Sequence, residues 1–230
     1  LEASLFGPIS PADYLRGRFE PEIHPFFVKL SDYGIPGERH HYLRKETAEA
    51  LKKMYAAIKK ELPGVKFWIQ SSTRNWESQK AIWERRWAEF SQKGKTDREI
   101  AIVILNSSSM PGTSRHHWGT DFDINVLNNA YYTKGNGAKL YAWMKRRAKD
   151  FGFCQPYSAG RNIGYMIERW HWSYMPLATE FQKKWNELFS KNPDEIIKDG
   201  SFKGAQSAIA DAPIYVNSIN ESCLMTNTKE

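Results

Sequence analysis

The sequence predicts an α+β fold in which helices cover a small, mostly antiparallel sheet. Three observations lead there. Several long stretches repeat apolar residues at helical spacing, shorter ones alternate apolar with polar, and no internal repeat or sharp change of composition divides the chain. At 230 residues it is long enough for one substantial core. One domain over 1–230 is therefore expected, with an irregular N-terminal arm over about 1–44 and a C-terminal extension over about 192–230.

The arm is rich in Pro and Gly ("FGPISPADYLRGRFEPEIHPFF") and reads as a segment wrapping the domain. Residues 46–62 follow as a helix. Leu51, Met54, Tyr55, Ile58 and Leu62 recur on one face, and Pro63-Gly64 ends the run. "VKFWIQSS" (65–72) sets Val65, Phe67 and Ile69 against Lys66, Trp68 and Gln70, a strand pattern. Helices are predicted over 76–91 and 96–106. After the turn "MPGTS", "WGTDFDINV" reads as a second strand.

Residues 136–153 form the next helix, with Leu140, Tyr141, Met144, Ala148 and Phe151 on one side. Residues 163–174 read as one or two strands. Pro176 opens a helix carrying Leu177, Phe181, Trp185 and Leu188. A short helix near 202–210, an extended "PIYV" and a polar tail complete the chain.

The formal net charge of +7 suits an anionic partner such as a cell-wall polymer, nucleic acid or a membrane surface. Zinc-finger spacing, an aromatic RNA-binding signature and a glycine-rich phosphate loop are all missing, so nucleic acid is not the partner read here. No stretch approaches the ~18 to 20 apolar residues of a membrane span. The chain starts at Leu1 without a basic-then-apolar leader, and reads as a mature or trimmed chain from which a signal peptide could already be missing. Its two cysteines, Cys154 and Cys223, would be buried thiols in the cytosol and an invitation to a bridge in an oxidising compartment.

The chemistry concentrates in two places. "SRHHWGTDFDIN" (114–125) holds two of the six histidines, two aspartates and a glycine, and "IERWHWSY" (167–174) sets a third histidine between two tryptophans. Taken singly, each residue has a plain explanation as packing or solvated surface. Trp118, Trp170 and Trp172 read as core, His117 points away from its neighbour and reads as a residue behind the ligands or at the surface, and His24, His40 and His41 have no evident partner. Taken together, His116, Asp123 and His171 offer two imidazoles and a carboxylate, the donor set of a zinc site with a coordination position left open. Gly119 lets the backbone turn sharply or take φ > 0, so that His116 and Asp123 can converge. Glu168 is placed to act as general base on a water, provided a strand end or bulge falls between it and His171.

These segments resemble the zinc D-alanyl-D-alanine carboxypeptidases. "SRHHWGTDFD" fits that family's S-x-H-x-x-G-x-A-x-D, "ERWH" (168–171) fits E-x-W-H, and "SSTRNWESQ" (71–79) is similar to S-G-Y-R-x-x-x-x-Q. The resemblance spans 71–171 in the family's order. It implies the fold shared with lysostaphin-like peptidases and the hedgehog signalling domain, and one zinc per chain held by His116, Asp123 and His171. It makes Glu168 the catalytic base, Arg74 the group that stabilises the carbonyl or holds the substrate carboxylate, and Ser114 and Gln79 further substrate contacts. The implied substrates are peptidoglycan stem peptides, cleaved in the periplasm or outside the cell.

Two positions depart from the pattern. Asp121 stands where the family has alanine, either as an acceptor behind a ligand histidine or as a rival to Asp123. Ser72-Thr73 replaces Gly-Tyr beside Arg74, in the wall of the substrate pocket. An L,D-carboxypeptidase or a peptidoglycan endopeptidase would share these residues. A non-catalytic hedgehog-like zinc module would need neither Glu168 nor Arg74.

Overall fold

The computed structural model describes residues 5–198 and 200–224. Its central feature is a four-stranded antiparallel sheet in the order β3 (Ile69–Ser71), β4 (Asp121–Ile124), β6 (His171–Tyr174), β5 (Phe153–Cys154). A two-stranded antiparallel sheet, β1 (Phe27–Lys29) with β2 (Tyr42–Arg44), lies in the segment expected to be an irregular arm. That segment also contains helix α1 (Pro11–Leu15), capped by Ser10, and buries Phe6, Tyr14, Leu15 and Phe27. Enough apolar side chains sit among its prolines and glycines to anchor it to the core.

Side-chain alternation divides the central sheet. Phe122, Ile124 and Trp172 point to one face, where they meet α2 (Lys45–Glu61) and α5 (Gly135–Arg147). Leu51, Met54 and Ile58 of α2 and Leu140, Trp143 and Met144 of α5 fill that layer, at the helical spacing the sequence displays. Asp121, Asp123, His171 and Ser173 occupy the other face by the same period of two. The strands themselves thus separate core from site.

A second apolar cluster joins α3 (Trp76–Phe90), α4 (Asp97–Leu105) and α6 (Met175–Lys191). Trp76, Trp83, Ile104, Phe181 and Trp185 are buried in it. Asn75 caps α3 by accepting the Ser78 N–H at 2.9 Å, and Thr96 with Glu99 forms a capping box at the start of α4. The short helices α7 (Asp194–Ile197), α8 (Ala205–Ala208) and α9 (Ala212–Asn217) add Ile196, Ala208 and Val216.

Several expectations need correction. The helix read over 136–153 ends at Arg147, passes into a 3-10 turn over Ala148–Phe151 and gives way to strand at Phe153, and of "WGTDFDINV" only Asp121–Ile124 is strand. Of 65–72, only Ile69–Ser71 is strand. Lys66 and Trp68 are tied instead to Asn125, whose side chain donates to the Lys66 carbonyl and accepts the Trp68 N–H. Of 163–174, only His171–Tyr174 is strand. The preceding stretch turns at Gly164 (φ 87°), and the Arg161 guanidinium donates to the carbonyls of Ser158, Tyr165 and Ser218. "PIYV" is helical rather than extended. Pro213 sits in the first turn of α9, where its missing N–H costs nothing, and Ala212 and Val216 bury one face.

Cys154 and Cys223 form a disulfide with Cα atoms 5.4 Å apart. It pins the tail against Tyr157, Tyr165 and Ile219. Among the described residues no helix is long and apolar enough to cross a membrane.

Candidate active site

The site is built on the polar face of β4 and β6. Asp123 and His171 are directly opposed across the strand pair, and Asp121 opposes Ser173. His116 arrives from the 3-10 turn Arg115–His117, which Ser114 caps by accepting the His116 N–H at 3.2 Å. Gly119 then takes φ 76°, and a Cβ there would lie 2.5 Å from the Phe27 ring. Only glycine fits this reversal between the turn and β4.

The donor atoms converge. His116 Nε2 lies 3.4 Å from Asp123 Oδ2, and His171 Nδ1 lies 3.2 Å from Asp123 Oδ1. The backbone and the neighbouring carboxylate fix which nitrogens carry protons. His116 donates from Nδ1 to the Ser72 carbonyl at 2.8 Å, and His171 donates from Nε2 to Asp121 Oδ2 at 2.8 Å. In its neutral form each imidazole therefore turns an unprotonated nitrogen toward Asp123, whose buried Oδ1 then has no hydrogen-bond donor. Lone pairs set against lone pairs at this distance call for positive charge between them, a metal ion or a proton. One ligand atom from each of His116, Asp123 and His171 can be chosen within 4.8 Å of the others, which fits a single ion.

The electrostatics agree. Burial opposes ionising Asp123, yet His116 and His171 hold its carboxyl well below the usual carboxylate range. Burial likewise opposes charging His171, but Asp121, Asp123 and Glu168 raise its proton affinity well above that of an ordinary histidine. The pocket is poised to hold positive charge.

Glu168 sits in the turn just before β6, so the strand end that its role requires is present. Its N–H donates to the Tyr157 carbonyl and its carbonyl accepts from Gln155 Nε2 at 3.0 Å, which fixes the backbone. Its Oε2 lies 3.4 Å from His171 Nδ1. Burial raises its pKa above the ordinary 4.5, the direction a general base needs.

Arg74 follows β3, with its N–H on the His116 carbonyl at 3.0 Å and its own carbonyl accepting from His117 Nδ1 at 2.7 Å. Its Nη1 lies 4.0 Å from Asp123 Oδ2, and its Nε is buried without a partner. Gln79, in the first turn of α3, donates to the Ser109 carbonyl and leaves Oε1 unpaired. Arg74, Gln79, Ser114, His116, Asp123, Glu168 and His171 all line one cavity of about 300 Å³, together with Tyr157, Tyr165 and Trp170.

A sequence model of the VanY D-alanyl-D-alanine carboxypeptidases matches residues 40–177, more than half of the chain. The chain belongs to this family. It is an enzyme of the carboxypeptidase class, and the matched span contains every residue singled out at the site. A Bacillus subtilis (strain 168) protein named "Putative carboxypeptidase YodJ" is 28% identical over 202 residues, 76% of this chain and 68% of that protein. The LdcB LD-carboxypeptidase, whose structure addresses peptidoglycan recognition, superposes with a TM-score of 0.54 at 26% identity, over 76% of this chain and 80% of its own. The vancomycin-resistance D,D-pentapeptidase VanY, crystallised with Zn(II), has the same fold with a TM-score of 0.50 at 24% identity, over 68% of this chain and 86% of its own.

Several contributors escape the sequence reading. His117 is buried, with Nδ1 on Arg74 and Nε2 accepting the Gly112 N–H at 3.0 Å, so it is a structural pin for the arginine. His24 and His41 also have partners, the Phe6 carbonyl and the Ser72 hydroxyl. The Tyr157 ring packs 4.7 Å from the His171 ring. Arg115, Thr120 and Ser173 surround Asp121. Only the last group had a signal: Ser173 shares its strand face with His171, and Arg115 adjoins His116.

Proposed function

We propose that this chain is an exported zinc carboxypeptidase that removes the terminal D-alanine from peptidoglycan stem peptides. The observation that carries the reading is the convergence of His116 Nε2 and His171 Nδ1 on the Asp123 carboxylate, with Glu168 and Arg74 lining the same cavity. His116 Nε2, Asp123 and His171 Nδ1 would hold the metal. When bound, zinc supplies Lewis acidity that polarises the scissile carbonyl and makes water a better nucleophile at neutral pH.

The protein's own groups do the rest. Glu168 accepts the proton of the attacking water and returns it to the departing amine, and its raised pKa serves both transfers. Arg74 offers the unpaired Nε and the second guanidinium edge to a carboxylate, in the bidentate geometry that suits a peptide C-terminus. Gln79 Oε1 has no partner inside the protein and can accept a substrate N–H. Export is supported by the Cys154–Cys223 disulfide, a bond of oxidising compartments, and the +7 charge favours approach to anionic wall material.

A second reading, an L,D-carboxypeptidase, is favoured by the likeness to LdcB. Mass spectrometry of products from zinc-loaded protein and defined muropeptides tests both. The proposal predicts loss of one alanine from a pentapeptide stem ending in D-Ala-D-Ala. Loss of the terminal residue from a tetrapeptide stem alone would select the L,D reading. Zinc-loaded protein that cleaves neither stem would overturn the carboxypeptidase proposal.

A further inference from the structure

We propose that Arg115 and Asp121 form a positioning pair that fixes the orientation and tautomer of His171, so that Nδ1 is the nitrogen presented to the metal; this rests on the zinc reading above. Asp121 stands where the motif of the zinc D-alanyl-D-alanine carboxypeptidases has alanine, and it is fully buried. Its carboxylate accepts four hydrogen bonds. Oδ1 takes the Thr120 and Ser173 hydroxyls at 2.6 and 2.8 Å, and Oδ2 takes Arg115 Nε and His171 Nε2 at 3.0 and 2.8 Å. A carboxylate has about four lone-pair sites, so none is left for a metal. Asp121 is thereby excluded as a rival to Asp123.

The four donors leave Asp121 one orientation. Arg115 is held just as fully, with Nη1 on Gln182 Oε1 at 3.0 Å and Nη2 on Ser173 Oγ at 2.9 Å. An imidazole can carry its proton on either nitrogen, and the partner of one nitrogen decides what the other presents. An acceptor that cannot rotate away holds the His171 proton on Nε2. The guanidinium has a second effect. Asp121 alone would put another negative charge two residues from Asp123 on the same strand face. Arg115 cancels it locally, so the carboxylate can orient His171 without offsetting the charge of the bound ion.

The test uses zinc affinity and ligand-field spectra, which report on the site independently of turnover. In Arg115→Met/Asp121→Ala the buried ion pair is removed as a unit, so neither charge is left unpaired. We expect this variant to fold, to bind zinc about 10- to 100-fold more weakly in chelator competition, and to show a shifted visible spectrum with Co(II). Arg115→Met/Asp121→Asn, which likewise leaves no charge unpaired and whose amide oxygen can still accept the Nε2 proton, should recover most of that affinity. A folded double variant with zinc affinity within twofold of the parent and the same Co(II) spectrum would overturn the pairing. Imidazole 15N NMR of the zinc-loaded parent needs no variant to fold. It should show His171 bound through Nδ1 and His116 through Nε2, and His171 bound through Nε2 would overturn the proposal. His116→Ala separates the two levels. If it keeps its zinc, the metal reading itself fails; if it loses zinc while the double variant does not, only the positioning pair fails.

Discussion

Replacing Cys223 by serine should cost far more stability than the small change of side chain suggests. The disulfide to Cys154 closes a loop with a sequence separation of 69. The chain-entropy relation for that loop gives about 4 kcal/mol of stabilisation, acting through the unfolded state. For a protein of this size, 1 kcal/mol moves the melting temperature by about 2–4 °C. Cys223→Ser should therefore melt about 8–16 °C lower, as followed by circular dichroism. The loss should reach the site as well. Asn220 donates its N–H to the Pro156 carbonyl at 2.8 Å, and Arg161 Nη1 donates to the Ser218 carbonyl at 2.8 Å. The tail therefore braces the loop that ends at Glu168. A reductant should reproduce the effect in the parent and add nothing in the variant. Two free thiols in denatured, unreduced protein would refute the argument, as would a variant that melts within about 2 °C of a parent with an intact bond.

Gly119→Ala must adopt φ 76° and place a Cβ 2.5 Å from the Phe27 ring, so it should lose about 2 kcal/mol or more in urea denaturation and weaken zinc binding. His24 gives a pH prediction. Burial lowers its pKa below 6.5, and its neutral ring both bonds the Phe6 carbonyl and accepts the Phe26 N–H. Below pH 6.5 the unfolded chain takes up a proton that the folded chain resists, so stability falls with pH until the folded pKa is reached. The contribution is at most about 1.4 kcal/mol per pH unit. Denaturation at pH 7, 6 and 5 should show a shallower loss in His24→Phe than in the parent, and equal slopes would exclude His24 as a source.

The grouping of the candidate site was legible in the sequence because the residues that line it lie in short motifs with strong local reasons for their spacing. A glycine turn before β4 and a strand end before β6 bring His116, Asp123 and Glu168 to His171, and both marks are visible in "HHWGTDFD" and "ERWH". The long helices were legible for a similar reason, since α2 and α6 each bury a regular apolar stripe. What stayed hidden depends on partners distant in sequence. His117 reads as a surface or outer residue until Arg74, 43 positions earlier, is seen to need its carbonyl held. The role of Asp121 stayed open between two alternatives, because its orientation is set by Arg115, Thr120, Ser173 and His171 together. Residues 163–170 were read with the strand that follows them, but among the described residues no strand pairs with them, and Arg161 takes up the Ile163 and Tyr165 carbonyls. "PIYV" has strand-like composition, and burial of Val216 against the helical layer overrides it.

Glu168→Ala separates the chemistry from the metal binding, with zinc content and peptide hydrolysis measured on the same preparation. Glu168 lies beside the proposed ligand set and is not needed to complete it. The variant should therefore carry about one zinc per chain, keep its melting temperature, and turn over a D-Ala-D-Ala stem peptide more slowly by at least the ~10²- to 10⁴-fold owed to a positioned acid and base. A variant that retains its zinc and hydrolyses the peptide at close to the parent rate would contradict the mechanism.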